Sequence, residues 1–182
     1  MADGLLGAEI PPAGPGTFGV APGTDAGPET GTVRVVRVEV EDGLPVDATA
    51  FAATVMATLN DPRGWGADGS VSFARTDGEA ELRVVLASPA TVDVLCAPLP
   101  TAGEVSCGRA GRAVINAERW LRAVEEYGGD LHRYRQYVVN HEVGHLLGHA
   151  HEQCPGAGLP APVMQQQTYA VAPCTPNAWP FP

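Results

Sequence analysis

Val36, Val38 and Val40 alternate with Arg37 and Glu39, and this two-residue period predicts a half-buried strand over residues 32–41. The period then lengthens. Phe51, Ala52, Val55 and Leu59 form one helical stripe that Asp47 can cap and Asn60-Asp61-Pro62 ends. Further strands are expected at residues 70–75 and 81–87, the second apolar on both faces and therefore central. Short strands are expected at 92–96, 104–107 and 112–116. Gly128-Gly129-Asp130 punctuates the chain, and Asp130 caps a predicted helix running to about Leu147. Along it, Leu131, Tyr134 and Val138 lead into His141 and His145 on one face.

Outside these segments no period holds. Residues 1–29 are crowded with Gly, Pro, Ala and Thr, as in Pro11-Pro12-Ala13-Gly14-Pro15-Gly16, and predict a flexible linker or tether whose end can drape on the domain. Residues 30–182 then make one domain: an N-terminal subdomain to about residue 151 and a small irregular one over 152–182, rich in Pro, Gly and Gln. The formal charge of −10 and the absence of lysine argue against a nucleic-acid partner. No apolar run approaches the roughly 18 residues of a membrane span. Met1-Ala2-Asp3-Gly4 has no basic start and no long apolar stretch, so either a secretory leader is missing from this sequence or the chain is cytosolic.

The cysteines favour export. Cys96, Cys107, Cys154 and Cys174 show neither Cys-x-x-Cys nor any metal-type spacing, and an even count in that context suggests disulfides. Neighbour pairing, Cys96 with Cys107 and Cys154 with Cys174, would contribute about 3 kcal/mol per bridge by restricting the unfolded chain.

The most specific signal is His141-Glu142-Val143-Gly144-His145-Leu146-Leu147-Gly148-His149-Ala150-His151. Helix positions four apart are separated by about 40° and about 6 Å, so His141 and His145 can face one metal ion. Glu142, turned by about 100°, falls beside the metal and can reach a water on it as general base. Gly148 can take a positive φ and end the helix, letting His151 return as third ligand. At background residue frequencies this five-residue pattern arises by chance about once in 100,000 chains of this length. A buried helix with satisfied core histidines accounts for the apolar face but not for three histidines. His149 competes with His151, but its spacing from His145 is four rather than six.

The extended motif resembles the metzincin clan of zinc metallopeptidases, in which a methionine-containing turn follows. Met164, in Ala161-Pro162-Val163-Met164-Gln165, is the candidate for that turn. From about Gly16 onward the chain looks like a family of bacterial metzincin-like domains of unknown function. That likeness rests on Gly16-Thr17-Phe18, Asn60-Asp61-Pro62-Arg63-Gly64-Trp65, Leu86-Ala87-Ser88-Pro89, Tyr137-Val138-Val139-Asn140 and Pro176-Asn177-Ala178-Trp179-Pro180. The resemblance implies an α+β fold, with a twisted mixed sheet and two main helices over a small irregular C-terminal subdomain. It also implies an edge strand above the metal, placed at residues 104–107, which would pair with an extended substrate. In some metzincins a Tyr lies two residues past the turn methionine; here Gln166 stands there, and Tyr169 is left between a catalytic part and packing under the helix.

The activity expected is that of a zinc-dependent endopeptidase, secreted or tethered at the cell surface and monomeric, with one catalytic Zn2+ and a peptide or protein substrate. Two alternatives stand beside it: a catalytically silent, zinc-stabilised binding domain, and a hydrolase of a non-peptide amide.

Overall fold

A computed structural model describes residues 2–182. Its strands are β1 (Phe18–Val20), β2 (Thr32–Glu41), β3 (Val71–Arg75), β4 (Leu82–Ala87), β5 (Cys107–Arg109) and β6 (Arg112–Asn116). The helices are α1 (Ala48–Leu59), α2 (Pro89–Cys96), α3 (Ala117–Arg122) and α4 (Leu131–Leu146). The fold is α+β. One mixed sheet runs β1-β2-β4-β6-β5, with β3 pairing β2 beside β1 on the same edge. β2 pairs β3 and β4 in parallel and β4 pairs β6 in parallel, whereas β1 and β5 add antiparallel pairs at the two ends.

The alternation in β2 sorts the two faces. Val36, Val38 and Val40 join Val84, Leu86, Ala113 and Ile115 in the main core, against Phe51, Val55 and Leu59 of α1 and Tyr134, Tyr137 and Val138 of α4. Phe51 meets the fully buried Trp120 edge-on at 4.8 Å, and truncating either to alanine would cost about 3 to 5 kcal/mol. On the opposite face α2 covers only part of the sheet, where Val92 and Cys96 pack with Ala87, Cys107 and Val114. Among the described residues no helix is long and apolar enough to cross a membrane.

Three expectations change. Residues 92–96, expected as a strand because of Val92 and Val94, belong to α2; Pro89 fixes φ at the first helical position and favours helix initiation. The edge strand expected at 104–107 is displaced to β5, Cys107–Arg109. The segment before residue 30, assigned to a linker by its composition, is laid along the domain instead. Leu5 is buried and bridges Val46, β1 adds to the sheet, and Ala21 is fully buried. Few apolar residues suffice because polar contacts to two carboxylates, Glu41 of the sheet and Asp3 of the segment itself, tie it down. The buried Glu41 accepts from the backbone of Gly16 at 2.9 Å and of Ser88 at 2.7 Å, and from the Thr91 hydroxyl at 2.6 Å. Asp3 accepts from Arg135 of α4 at 2.6 Å, with side-chain exposures of 8% and 4%.

Removing Asp3's charge would leave the Arg135 guanidinium buried without its partner. Asp3→Asn should therefore lower the unfolding free energy by about 3 kcal/mol in urea denaturation. Glu118→Gln, which breaks the exposed pair with Arg122, should change it by less than about 0.5 kcal/mol.

Burial alone would raise the carboxyl pKa of Asp3 and of Glu41. Hydrogen bonds from Arg135 and His132 outweigh it for Asp3, and bonds from Thr91, Ser88 and Gly16 outweigh it for Glu41, so both are held below their ordinary values of 3.8 and 4.5. The folded state takes up these protons less readily than the unfolded chain. Their stabilisation is therefore complete above the ordinary values and disappears as pH falls through the lower folded ones. Stability should drop below about pH 4.5, and Glu41→Gln should flatten that drop in a pH series of urea titrations.

Candidate metal centre

α4 is built to hold its far end still. Asp130 accepts from the backbone N–H of Arg133 at 3.0 Å, and Tyr134, Tyr137, Val138 and His141 lie on its buried side. Leu147 ends the helix, Gly148 follows at φ 97°, and the N–H of His149 bonds back to the carbonyl of Gly144 at 3.0 Å while that of Gly148 bonds to His145 at 3.1 Å. This is the Schellman reversal, whose left-handed position is costly for any residue with a Cβ. The chain turns back, and the ligand atoms of His141, His145 and His151 all come within 4.8 Å of one another.

Two of the three imidazoles, those of His141 and His145, are oriented through their other nitrogen. His141 Nδ1–H donates to the carbonyl of Val163 at 2.8 Å, and His145 Nδ1–H donates to the carbonyl of His149 at 3.0 Å. A carbonyl only accepts, so both rings must carry the proton on Nδ1 and turn an Nε2 lone pair inward. His145 Nε2 and His151 Nε2 stand 3.1 Å apart, close to the roughly 3.3 Å between two nitrogens that share a tetrahedral zinc. Burial pushes the His141 pKa down to about 3, and burial followed by the neighbouring His145 lowers that of His151, which keeps both in the neutral form that binds metal. The donor set fits a divalent transition-metal ion bound through three imidazoles.

Glu142 is 5% exposed and makes no hydrogen bond through its carboxylate among the described residues, and burial pushes its pKa up to about 8. It opens, with the three histidines, into a cleft of about 390 Å³. One wall is Leu99, Thr101 and Val105 leading into Cys107 and Gly108 of β5; the other includes Tyr137, Gln166 and Tyr169. Among the described residues, no Asp, Lys, Arg or further Glu lines it.

The turn at Met164 supports the histidines from behind, through the Val163 carbonyl on His141. Gln165 N–H closes it onto the Pro162 carbonyl at 2.9 Å, and Glu152 N–H donates to the Met164 carbonyl at 3.1 Å, so the turn contacts the backbone next to His151 as well as His141. Met164 is fully buried, and its sulfur lies 2.5 Å from where a Cβ on Gly144 would be, too close for any side chain there. Beneath it Gln167 and Asn177, both buried, bond to each other and to the backbone of Pro162, Ala161 and Trp179. The disulfides are Cys96–Cys107, which ties β5 to α2, and Cys154–Cys174, which brackets the turn. This is the expected neighbour pairing.

Tyr169 is 56% exposed on the rim of the cleft, so it does not pack under the helix. His149 stacks on Trp65 at 4.1 Å and takes part in the site through its backbone carbonyl. The sequence did not reveal the carbonyls of Val163 and His149, since any residue supplies a carbonyl. Nor did it separate Gln166, which reaches the cleft, from the buried Gln165 and Gln167.

Residues 5–182 match the family described as protein of unknown function (DUF3152), and the chain belongs to that family. No curated protein matches the chain, and no solved structure does.

Removing any one converging imidazole should empty the site. Metal analysis of His141→Ala, His145→Ala and His151→Ala should find less than about a tenth of the metal that wild type retains after dialysis, because each leaves only two imidazoles. His149→Ala should keep its metal, since the backbone carbonyl that orients His145 remains. The reverse result for His149 and His151 would overturn the ligand set.

Proposed function

We propose that this protein is a zinc-dependent endopeptidase of metzincin type, working in an oxidising environment outside the cytoplasm. The observation that carries the reading is three inward-facing imidazoles beside a buried carboxylate that has no partner of its own, at the floor of a cleft walled by a sheet edge. A purely structural zinc site needs a fourth protein ligand and has no use for an unpaired carboxylate there. The two disulfides support the assignment of compartment.

His141, His145 and His151 would hold the ion, which when bound acidifies water and polarises a carbonyl. Glu142 takes the proton from a water as its oxygen forms a bond to the scissile carbon. It then delivers that proton to the amide nitrogen as the carbon–nitrogen bond breaks. Burial favours this role by raising the affinity of Glu142 for a proton. β5 pairs only with β6 among the described residues, and its open edge offers backbone groups to an extended substrate in the β-augmentation mode. Tyr169 stands on the rim, where it can contact that substrate.

Glu142→Ala separates this proposal from a silent binding domain. The variant should keep full zinc content and its melting temperature, while cleavage of a proteome-derived peptide mixture, read by mass spectrometry, falls at least about a hundredfold. If wild type and variant are equally inert with zinc bound, the binding domain is the better description. Chelator-sensitive release of amine from small amides, without peptide cleavage, would favour the amide hydrolase.

A further inference from the structure

The sheet face turned away from α4 carries a row of four arginines. Arg37 of β2 is in register with Arg83 of β4, Arg83 with Arg112 of β6, and Arg112 with Arg109 of β5. Residues directly paired across strands project from the same face, at strand spacings of about 4.8 Å. Four of the chain's eleven basic residues are thus set side by side in a protein whose formal charge is −10. Like charges placed opposite one another in a sheet destabilise it. Such a row persists only where something compensates.

Within the chain the compensation is incomplete. Glu39, whose side chain is fully buried, lies between the first two arginines: its carboxylate is 2.5 Å from Arg37 Nε and accepts from Arg83 Nε at 3.1 Å and from Arg83 Nη2. Arg109 reaches the end of α2, where Nη1 donates to the carbonyls of Ala97 and Cys96. Arg112 has no ion pair and no side-chain hydrogen bond among the described residues. Glu39 is one place along β2 from its arginine's row; the corresponding positions on β4 and β6 are Val85 and Val114. The gap between Arg83 and Arg112 is thus flanked by two arginines as the gap between Arg37 and Arg83 is, but it lies beside the buried Val85 and Val114 and holds no carboxylate.

We propose that this row is a docking surface for an acidic polypeptide segment, which places a carboxylate between Arg83 and Arg112 as Glu39 does between Arg37 and Arg83. The side chains are partly buried, 26% exposed for Arg37 and 39% for Arg83, so a carboxylate there gains more than at a fully solvated arginine. An anionic membrane would meet the chain's overall negative charge along with the row, whereas a slender acidic segment meets the row alone. The surface lies across the sheet from the metal centre, so its occupancy does not depend on the proposed chemistry there.

The test uses the full chain and a fluorescein-labelled hexaglutamate peptide, followed by anisotropy. Wild type should bind saturably at low ionic strength and more weakly at about 0.15 M salt, where charges are screened beyond about 8 Å. Arg112→Gln should weaken binding roughly fivefold and should not lower the melting temperature, because it relieves repulsion and breaks no bond. Arg122→Gln, outside the row, should bind as wild type does. The proposal is overturned if wild type does not bind, if Arg122→Gln loses as much as Arg112→Gln, or if Arg112→Gln melts several degrees lower. Preference for tripolyphosphate or for phosphatidylserine vesicles over hexaglutamate would also overturn it.

Discussion

The reversal of the chain at Gly148 is the constraint on which the candidate site depends. His141 and His145 are brought together by helical geometry alone, but a third imidazole six residues past His145 would be carried away along the axis if the helix continued. The left-handed turn at Gly148, with its paired bonds back to Gly144 and His145, brings His151 Nε2 to 3.1 Å from His145 Nε2. The same turn sets the His149 carbonyl against His145 Nδ1, so one backbone feature both returns the third ligand and orients the second.

Everything around that turn limits its freedom. Upstream, α4 is held by its apolar side and by the buried pair of Arg135 with Asp3. Downstream the chain has too few apolar residues for a core of its own, and buried amides take over. Gln167 and Asn177 bond to each other and to the carbonyls of Pro162, Ala161 and Trp179, which positions the Met164 turn and with it the Val163 carbonyl on His141. The Cys154–Cys174 bridge closes this segment on itself. Orientation thus passes from side-chain amides to a turn, from the turn to a carbonyl, and from the carbonyl to an imidazole.

The sequence disclosed the parts of this arrangement that depend on periodicity or on residue type. β2, α1, β4, β6 and α4 stand where alternation or a helical stripe placed them, with Asp47 and Asp130 as the caps. The converging histidines and both disulfides were legible because His, Gly and Cys at fixed spacings carry chemistry. What stayed hidden is what backbone supplies. The N-terminal segment looked like a linker because its ordering rests on the N–H groups of Gly14 and Gly16 reaching Ser88 and Glu41 and on a few docked residues, not on a hydrophobic pattern. α2 was hidden because β-branched residues over 92–96 suggest a strand, and a single proline at its start outweighed them. The arginine row was invisible for another reason: it exists only in the register between strands far apart in sequence.

Glu142 bears most directly on whether the site performs chemistry. A carboxylate with 5% exposure and no donor among the described residues is costly to keep ionised, and its pKa of about 8 reflects that cost. Glutamine or leucine at this position would fit a buried helix face without it. Glu41, which is buried, and Asp3, whose side chain is 8% exposed, are each met by several donors and held below their ordinary values. The fold therefore meets Glu41 and Asp3 with protein donors and leaves the Glu142 carboxylate without one at the cleft, beside three imidazoles. That contrast supports a proton-carrying role at position 142, because an unpaired carboxylate is tolerated where a substrate or a water completes its surroundings.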